Sequence, residues 1–312
     1  MVKLVASSVN HVDIWARTGA LGTDRPFPKI LGADGAGLVE ETGGPAEGLA
    51  AGTRVLIYPL LTCGSCEYCL SGRENLCQNL KMLGIQCDGT YAEYVAVPQR
   101  NLVTIPDVLD FTTASTLGIA YLTAWTALVR AAKVEPGEAV LVPAATGGFG
   151  TAAISIARAL GADVVATTGS KEKVVKLRSV GVKAVVDVTS EDMVSSVLSA
   201  TDGRGVDVVL DSVGSATLAA SLKCVRRGGR LVTLGATSGR EVTLDVRGIY
   251  AKGITIYGVY VGTRDDLTHV IEWVAEGKIR PVVDSVYTLE EAAEAHSRLD
   301  GRLAFGKIVL RP

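Results

Sequence analysis

Amides are scarce in this 312-residue chain, with four Asn (10, 75, 79, 101) and three Gln (78, 86, 99). Depletion of these thermolabile residues points to a thermophilic source. An excess of one charge is also missing. The net charge of −2 offers no basic field for nucleic acid or for an anionic membrane. No apolar run reaches membrane-spanning length, because residues 111–132 are interrupted by Thr, Ser and Gly. The opening Met1-Val2-Lys3-Leu4 has no secretory apolar stretch, so the cytoplasm is the expected location. What is present, 48% apolar and 21% charged residues, is the composition of a soluble globular protein. The length is sufficient for two domains with separate cores.

The chain is organised around Ala139-Val140-Leu141-Val142-Pro143-Ala144-Ala145-Thr146-Gly147-Gly148-Phe149-Gly150-Thr151. It reads as a buried strand, a tight Gly-rich turn and the start of an amphipathic helix. That order aims backbone N–H groups and a helix N-terminus at a pyrophosphate. Gly147 and Gly150 serve close phosphate approach and tight helix–strand packing. The string alone also suits an ordinary turn between core elements; the strand before it and the helix after it favour a dinucleotide site.

Around this stretch the pattern alternates. Strands are expected at 138–143, 163–167, 184–187, 206–211, 229–235 and 254–258, and helices at 148–160, 171–180, 190–200 and 215–226. Such alternation predicts a doubly wound parallel sheet, hence an α/β fold. Before it, residues 1–60 read as short β elements, among them 33–40 and 53–58. Residues 91–97 read as a further strand closed by Pro98. Phe111 to Ala132 has helical spacing, with Thr112 or Thr113 as caps. Helices near 264–277 and 289–299 and a strand at 307–310 follow.

Cys63, Cys66, Cys69 and Cys77 stand in the spacing C-x2-C-x2-C-x7-C within a lobe at 61–80. Four thiolates this close suit tetrahedral Zn2+, and four protein ligands leave no open position, so one structural ion is expected. Disulfides are the competing reading; the cytosol disfavours them, with hyperthermophiles an exception. Cys87 and Cys224 read as small buried apolar residues.

The cofactor's ribose corner falls at the end of the second strand, Ala166-Thr167-Thr168-Gly169-Ser170-Lys171-Glu172-Lys173. No carboxylate stands at the strand end, where an NAD enzyme places one for the ribose hydroxyls. Ser170 can donate to a 2′-phosphate and Lys171 or Lys173 can supply charge, which favours NADP(H) over NAD(H). The alternative is that both lysines are the solvated first turn of a helix.

Taken together these pieces resemble the medium-chain dehydrogenase/reductase superfamily over essentially the whole chain. Further landmarks carry the resemblance: residues 10–19, Gly32-Ala33-Asp34-Gly35-Ala36-Gly37, Asp88 to Val95, Leu122-Thr123-Ala124-Trp125, Asp211-Ser212-Val213-Gly214 and Gly306 to Leu310. The resemblance implies a Rossmann-type domain over 121–257. A mainly β, GroES-like catalytic domain is implied over 1–120, completed by a return segment at 258–312. Members usually begin some 20 to 30 residues earlier, so the opening strands of that domain are expected to be missing, through either a truncated start or a reduced domain.

Departures from the family pattern sharpen the reading. The positions that match its catalytic zinc ligands are Asn10, Ala33 and Ile119, and its relay hydroxyl falls at Val12. Ala and Ile cannot ligate a metal and Asn is a poor zinc ligand. A structural zinc without a catalytic one is therefore implied, while Asn10-x-x-Asp13 and the Ala145-x-Gly147-Gly148-Phe149-Gly150 loop resemble the zinc-free quinone reductase branch.

The resemblance places the nicotinamide near Thr123, Gly235 and Val259, with Val213 and Lys307 as further cofactor contacts. Without a metal, the acceptor carbonyl needs hydrogen-bond donors. Asn10 is the first candidate, Tyr58 a second, and His11 is a candidate for the pyrophosphate or for a proton shuttle. Asp13 and Asp34 read as structural, with Asp13 able to pair with Arg17 one turn on. Val12, Trp15, Ile119, Tyr121 and Val259 suggest a bulky apolar substrate. The expected reaction is hydride transfer from NADP(H) to a carbonyl or quinone. The alternatives are reduction of an enone C=C bond and non-catalytic NADPH binding. A homodimer or homotetramer, joined near 254–258, is expected.

Overall fold

The computed structural model describes residues 1–22, 27–44 and 48–312. Residues 1–122 with 261–312 form one compact unit, and residues 123–260 form a second.

The first unit is built on a sheet whose path runs Val283–Thr288, Lys307–Arg311, Val2–Val9, Asp34–Val39, Arg54–Ile57 and Leu102–Thr104. Val2–Val9 is its hub, pairing antiparallel with Lys307–Arg311, Asp34–Val39 and Tyr94–Val95. Its second half, residues 6–9, is buried throughout, so it lacks there the in–out alternation that marks a half-exposed strand. That is why the sequence showed only short β elements here. The chains approach closely at Gly37, where a Cβ would lie 2.0 Å from the Lys3 carbonyl oxygen. Val2, Leu4, Val39, Val55 and Ile57 form the core beside this hub.

Helix His11–Thr18 leaves the end of that strand. The Asn10 N–H donates to Asp13 Oδ2 at 2.8 Å, closing the first turn, and Gly19 at φ 76° ends the helix. The strand expected over 91–97 shrinks to Tyr94–Val95. The single helix expected over 111–132 is also different. It runs as Phe111–Ala114, a π-helical stretch Leu117–Tyr121, Leu122–Trp125 and a second π-helical stretch Thr126–Ala131. Its cap is Asp110, which accepts from the Thr113 N–H, rather than Thr112 or Thr113.

The second unit holds a six-stranded sheet. Its order is Ala184–Asp187, Asp163–Thr168, Ala139–Val142, Val206–Asp211, Val225–Thr233, Thr255–Gly258. All five pairings are parallel. Numbered within the unit this is the 3-2-1-4-5-6 order of a dinucleotide-binding sheet, whose switch point lies beside Ala139–Val142. Leu141, Val165, Val186, Val209, Leu222 and Leu231 form its core. The fold class is therefore α/β, a Rossmann-type sheet with a mainly β, GroES-like unit. Among the described residues no helix is long and apolar enough to cross a membrane.

Candidate active site and metal centre

The Cys63–Cys77 loop is built from very short elements, the helix Glu67–Leu70 and the 3-10 turn Glu74–Leu76. The paired strands Leu60–Leu61 and Lys81–Met82 close its base. The four sulfurs lie within 4.8 Å of one another, and among the described residues they are the only such group of three or more His, Cys, Asp or Glu. Individual separations are 3.9 Å (Cys63–Cys69), 3.6 Å (Cys66–Cys69) and 3.5 Å (Cys63–Cys77). Four sulfurs each ~2.3 Å from a tetrahedral centre stand at just such separations from one another. No pair is bonded as a disulfide. Backbone N–H groups of Cys63, Cys66 and Asn79 point at Cys77, Cys63 and Cys77 sulfurs at 3.3, 3.3 and 3.4 Å. Hydrogen bonds of this kind favour thiolates; those from Ser65 and Cys66 bring the Cys63 thiol down to about 5. The donor set fits Zn2+. Cys224 is buried and Cys87 half-buried, its thiol directed at the Met82 carbonyl.

In the second unit, Gly147 caps helix Gly148–Ala159. A Cβ at Gly150 would lie 2.3 Å from the Ala145 carbonyl oxygen, while Gly147 meets nothing within 4 Å. Gly150 thus serves close packing and Gly147 leaves the helix N-terminus open, an arrangement that fits a pyrophosphate. Gly148 and Phe149 lie in the first turn, half-exposed. Ala144 adopts φ 49°, and the Ala144 and Ala145 N–H groups donate to the hydroxyl and carbonyl of Thr167.

Asp211 organises the neighbouring loop, a role the sequence did not reveal. Its Oδ1 accepts from the Val213 and Gly214 N–H groups, and its Oδ2 from Thr217 and Ser221. Gly235 packs against this loop, for a Cβ there would stand 2.6 Å from the Ser212 carbonyl oxygen. The Val259 N–H donates to the Thr233 carbonyl, and Thr123 is buried. At the ribose corner, Lys171 is exposed and Lys173 half-buried. The Ser170 hydroxyl donates to Glu172 at 2.8 Å, so it is not the free donor expected there.

The first unit brings Asn10, Asp34 and Lys307 into one buried cluster. Asp34 Oδ2 accepts from Ser8 (2.9 Å), Asn10 Nδ2 (2.9 Å) and Lys307 Nζ (3.2 Å). Lys307 also donates to Asn10 Oδ1 at 2.5 Å and to the Val9 carbonyl at 3.1 Å. Asp34 is fully buried and Lys307 2% exposed, so each charge depends on the other. Gly118 closes over the pair, since a Cβ there would lie 2.6 Å from Asp34 Oδ1. Asp34 and Gly118, the chain neighbours of Ala33 and Ile119, thus meet beside Asn10, at the positions that match the family's catalytic zinc ligands.

Several expectations change as a result. Asn10 does not offer a free N–H, because its amide bonds Asp34 and the Ser8 carbonyl. Lys307 has its three protons directed inside the cluster rather than to a cofactor. Tyr58 is buried and donates its hydroxyl proton to the Gly262 carbonyl at 2.7 Å. Asp13 does not serve Arg17; its Oδ2 accepts from the Asn10 N–H and the Tyr91 hydroxyl (3.0 Å). Burial pushes the Asp13 carboxyl up to about 7, and Asp34 adds to the rise. Tyr121 is fully buried, bonded to the Val282 N–H and the Arg280 carbonyl, so it lines no cleft. His11 is half-exposed and, among the described residues, its ring nitrogens have no hydrogen-bond partner. Burial, then Lys307, lower its pKa, so the ring is neutral at pH 7. His296 packs edge-on against Tyr91 and His269 lies on the surface beside Glu272.

Comparison with known proteins agrees with this geometry. Residues 1–107 match the alcohol dehydrogenase GroES-like domain and residues 148–276 the zinc-binding dehydrogenase domain. The chain belongs to the medium-chain dehydrogenase/reductase superfamily and is an oxidoreductase of the alcohol dehydrogenase type. It is 34% identical to an NAD-dependent alcohol dehydrogenase of Sulfolobus acidocaldarius, the alignment covering 100% of this chain and 91% of the relative. An alcohol dehydrogenase of Geobacillus stearothermophilus is 33% identical with the same coverage. Among solved structures, an NAD-dependent alcohol dehydrogenase superposes with TM-score 0.95 at 41% identity, over 100% of this chain and 91% of that one. The 2-octenoyl-CoA carboxylase reductase CinF, in complex with NADP and 2-octenoyl-CoA, gives 0.90 at 26% identity, over 99% and 78%.

Proposed function

We propose that this oxidoreductase passes hydride between NADP(H) and the carbonyl of a bulky, apolar ketone, aldehyde or quinone, without a catalytic zinc. The observation that carries the reading is the Asn10–Asp34–Lys307 cluster. The first expected ligand position holds an amide whose oxygen and nitrogen both have protein partners. The other two positions are Ala33 and Ile119. One zinc ion, held by Cys63, Cys66, Cys69 and Cys77, supports the loop and has no open position for substrate.

The bound nicotinamide supplies or accepts the hydride. The protein's part is to orient it and to manage a proton. His11 is the group for that task, a neutral imidazole with one N–H and one lone pair near the start of helix His11–Thr18. The cofactor would lie over Gly147, Gly148, Phe149 and Gly150, with Lys171 and Lys173 beside the ribose. NADP(H) is favoured because no carboxylate ends strand Asp163–Thr168. Ser170 must exchange Glu172 for the 2′-phosphate when it binds. The NAD-dependent relatives set the competing expectation.

A second reading has its own observation. The likeness to the CinF complex favours reduction of an activated C=C bond, which likewise needs no metal here. A homodimer or homotetramer is part of the proposal, because Thr255–Gly258 is an open sheet edge with Ile256 exposed. The protein is proposed to act in the cytoplasm.

The deciding experiment follows NADPH and NADH absorbance against ketones, quinones, enones and small primary alcohols, with zinc measured on the same sample. One zinc per chain and turnover of a cyclic ketone or quinone with NADPH is the expected outcome. Two zincs per chain, with turnover of small alcohols, would overturn the metal-free site. Enone turnover alone selects the second reading. Tight NADPH binding without turnover would leave a binding protein.

A further inference from the structure

A parallel sheet has two ends, and in the second unit they differ. The carboxyl end carries the Gly-rich turn, Asp211 and Gly235. The amino end carries a hollow of about 550 Å3 lined by Arg204, Lys223, Arg226, Arg227 and Lys252. Arg204 precedes strand Val206–Asp211, and Arg226 and Arg227 lie at the start of strand Val225–Thr233. Lys223 and Lys252 stand in the last turns of helices Leu218–Cys224 and Val246–Lys252. A strand of six residues such as Val206–Asp211 spans about 20 Å. The hollow is therefore remote from the pyrophosphate position.

Its charge is poorly balanced. Among the described residues, Asp207 is the one acidic group bonded to this set, accepting from Arg204 at 2.6 Å and from Arg226 Nε. The remaining bonds run to the main chain. Lys252 donates to the Lys223 and Val225 carbonyls (3.1 and 3.0 Å), Arg227 to Ala251 (2.9 Å) and Arg226 to Arg227 (2.6 Å). These bonds fix where the cations stand without neutralising them. The Lys223 ammonium makes no hydrogen bond among the described residues. The Asp192 carboxyl is held below its usual value chiefly by the Ser195 N–H that it accepts, with the field of Lys223 a smaller contribution. In a chain of net charge −2, five cations are thus gathered against one bonded carboxylate. Gathering them costs mutual repulsion, which a bound anion would offset. Guanidinium forks and ammonium groups match phosphate oxygens, and the hollow holds more than a single phosphate.

We infer that this hollow is a second ligand site, for a small polyphosphate of two or more linked phosphate groups. It is independent of the hydride-transfer reading. The test is calorimetric titration of the whole protein with inorganic tripolyphosphate, with and without saturating nicotinamide cofactor. The expected result is one site per chain that persists with the cofactor bound and weakens as salt rises. Lys223→Glu and Arg227→Glu together should weaken it at least tenfold, with unchanged melting temperature and cofactor affinity. Lys223→Glu alone, at a side chain without a hydrogen bond, should weaken it severalfold. ATP binding more tightly than tripolyphosphate would identify a nucleoside polyphosphate as the occupant. Complete displacement by cofactor, indifference to both substitutions, or preference for a single-stranded oligonucleotide over tripolyphosphate would overturn the inference.

Discussion

Two polar clusters in the first unit are built in opposite ways. The cysteine lobe draws its four sulfurs from residues 63–77, on short elements with three of the four half-exposed. The Asn10–Asp34–Lys307 cluster draws from three strands and their ends, with Lys307 and Asn10 297 positions apart, and it is sealed from water. A local cluster in contact with solvent stays together only if something holds its ligands, which is the part a metal plays. A buried cluster holds itself through hydrogen bonds and opposite charge, but only while every member is present. The first is built to be held by an ion, the second by the fold.

The largest effect should come from breaking the buried cluster. Lys307→Met leaves the Asp34 carboxylate without its counter-charge and should cost about 3–5 kcal/mol in urea unfolding. Adding Asp34→Asn should recover much of that loss. If the single variant is as stable as the parent, the cluster is not self-supporting and the contrast fails. The cysteine lobe should lose less. Cys66→Ser should reduce zinc from one ion per chain to none. It should also remove about 2.7 kcal/mol at free zinc a hundred times Kd. The loss should be absent in zinc-free protein, a dependence that Lys307→Met should not show.

A third effect is a pH dependence at Asp13. Its carboxyl rises from 3.8 to about 7 in the fold. A raised carboxyl favours the folded state fully below pH 3.8, and the advantage is lost as pH climbs towards 7, because the unfolded chain releases that proton first. His296, lowered to about 4 chiefly by burial, acts with the opposite sign between its folded and unfolded values. The difference between Asp13→Asn and the parent isolates the carboxyl. The parent's stability relative to the variant should fall between pH 4 and 7, by an amount on the order of 3 kcal/mol. Tyr91→Phe removes the hydroxyl that donates to Asp13, should cost about 1 kcal/mol and should push the Asp13 transition higher. A flat difference over that range would show that Asp13 is ionised throughout.

Legibility in the sequence follows the same division. The strand–turn–helix at 139–159 and the cysteine spacing are local patterns, and their chemistry is set by neighbours in the chain. Asp211 was visible only as part of a landmark, because its four partners lie on the following loop and helix. Phe111 to Ala132 had helical spacing, but spacing does not separate α from π turns, since both keep apolar residues on one side. Asn10 and Tyr58 were candidate donors because each has an N–H or O–H. Whether that hydrogen is free depends on what packs against it.

By itself the sequence determined the parallel sheet, its Gly-rich turn and the four-thiolate lobe, since periodicity, glycine placement and short spacing act within a few residues. Only the tertiary structure decided that Lys307 meets Asp34 and Asn10, that Tyr58 is tied to Gly262, and that five cations line the amino end of the second sheet. Those juxtapositions join segments far apart in the chain. Burial then fixes which polar groups must satisfy one another, because water is no longer there to do so.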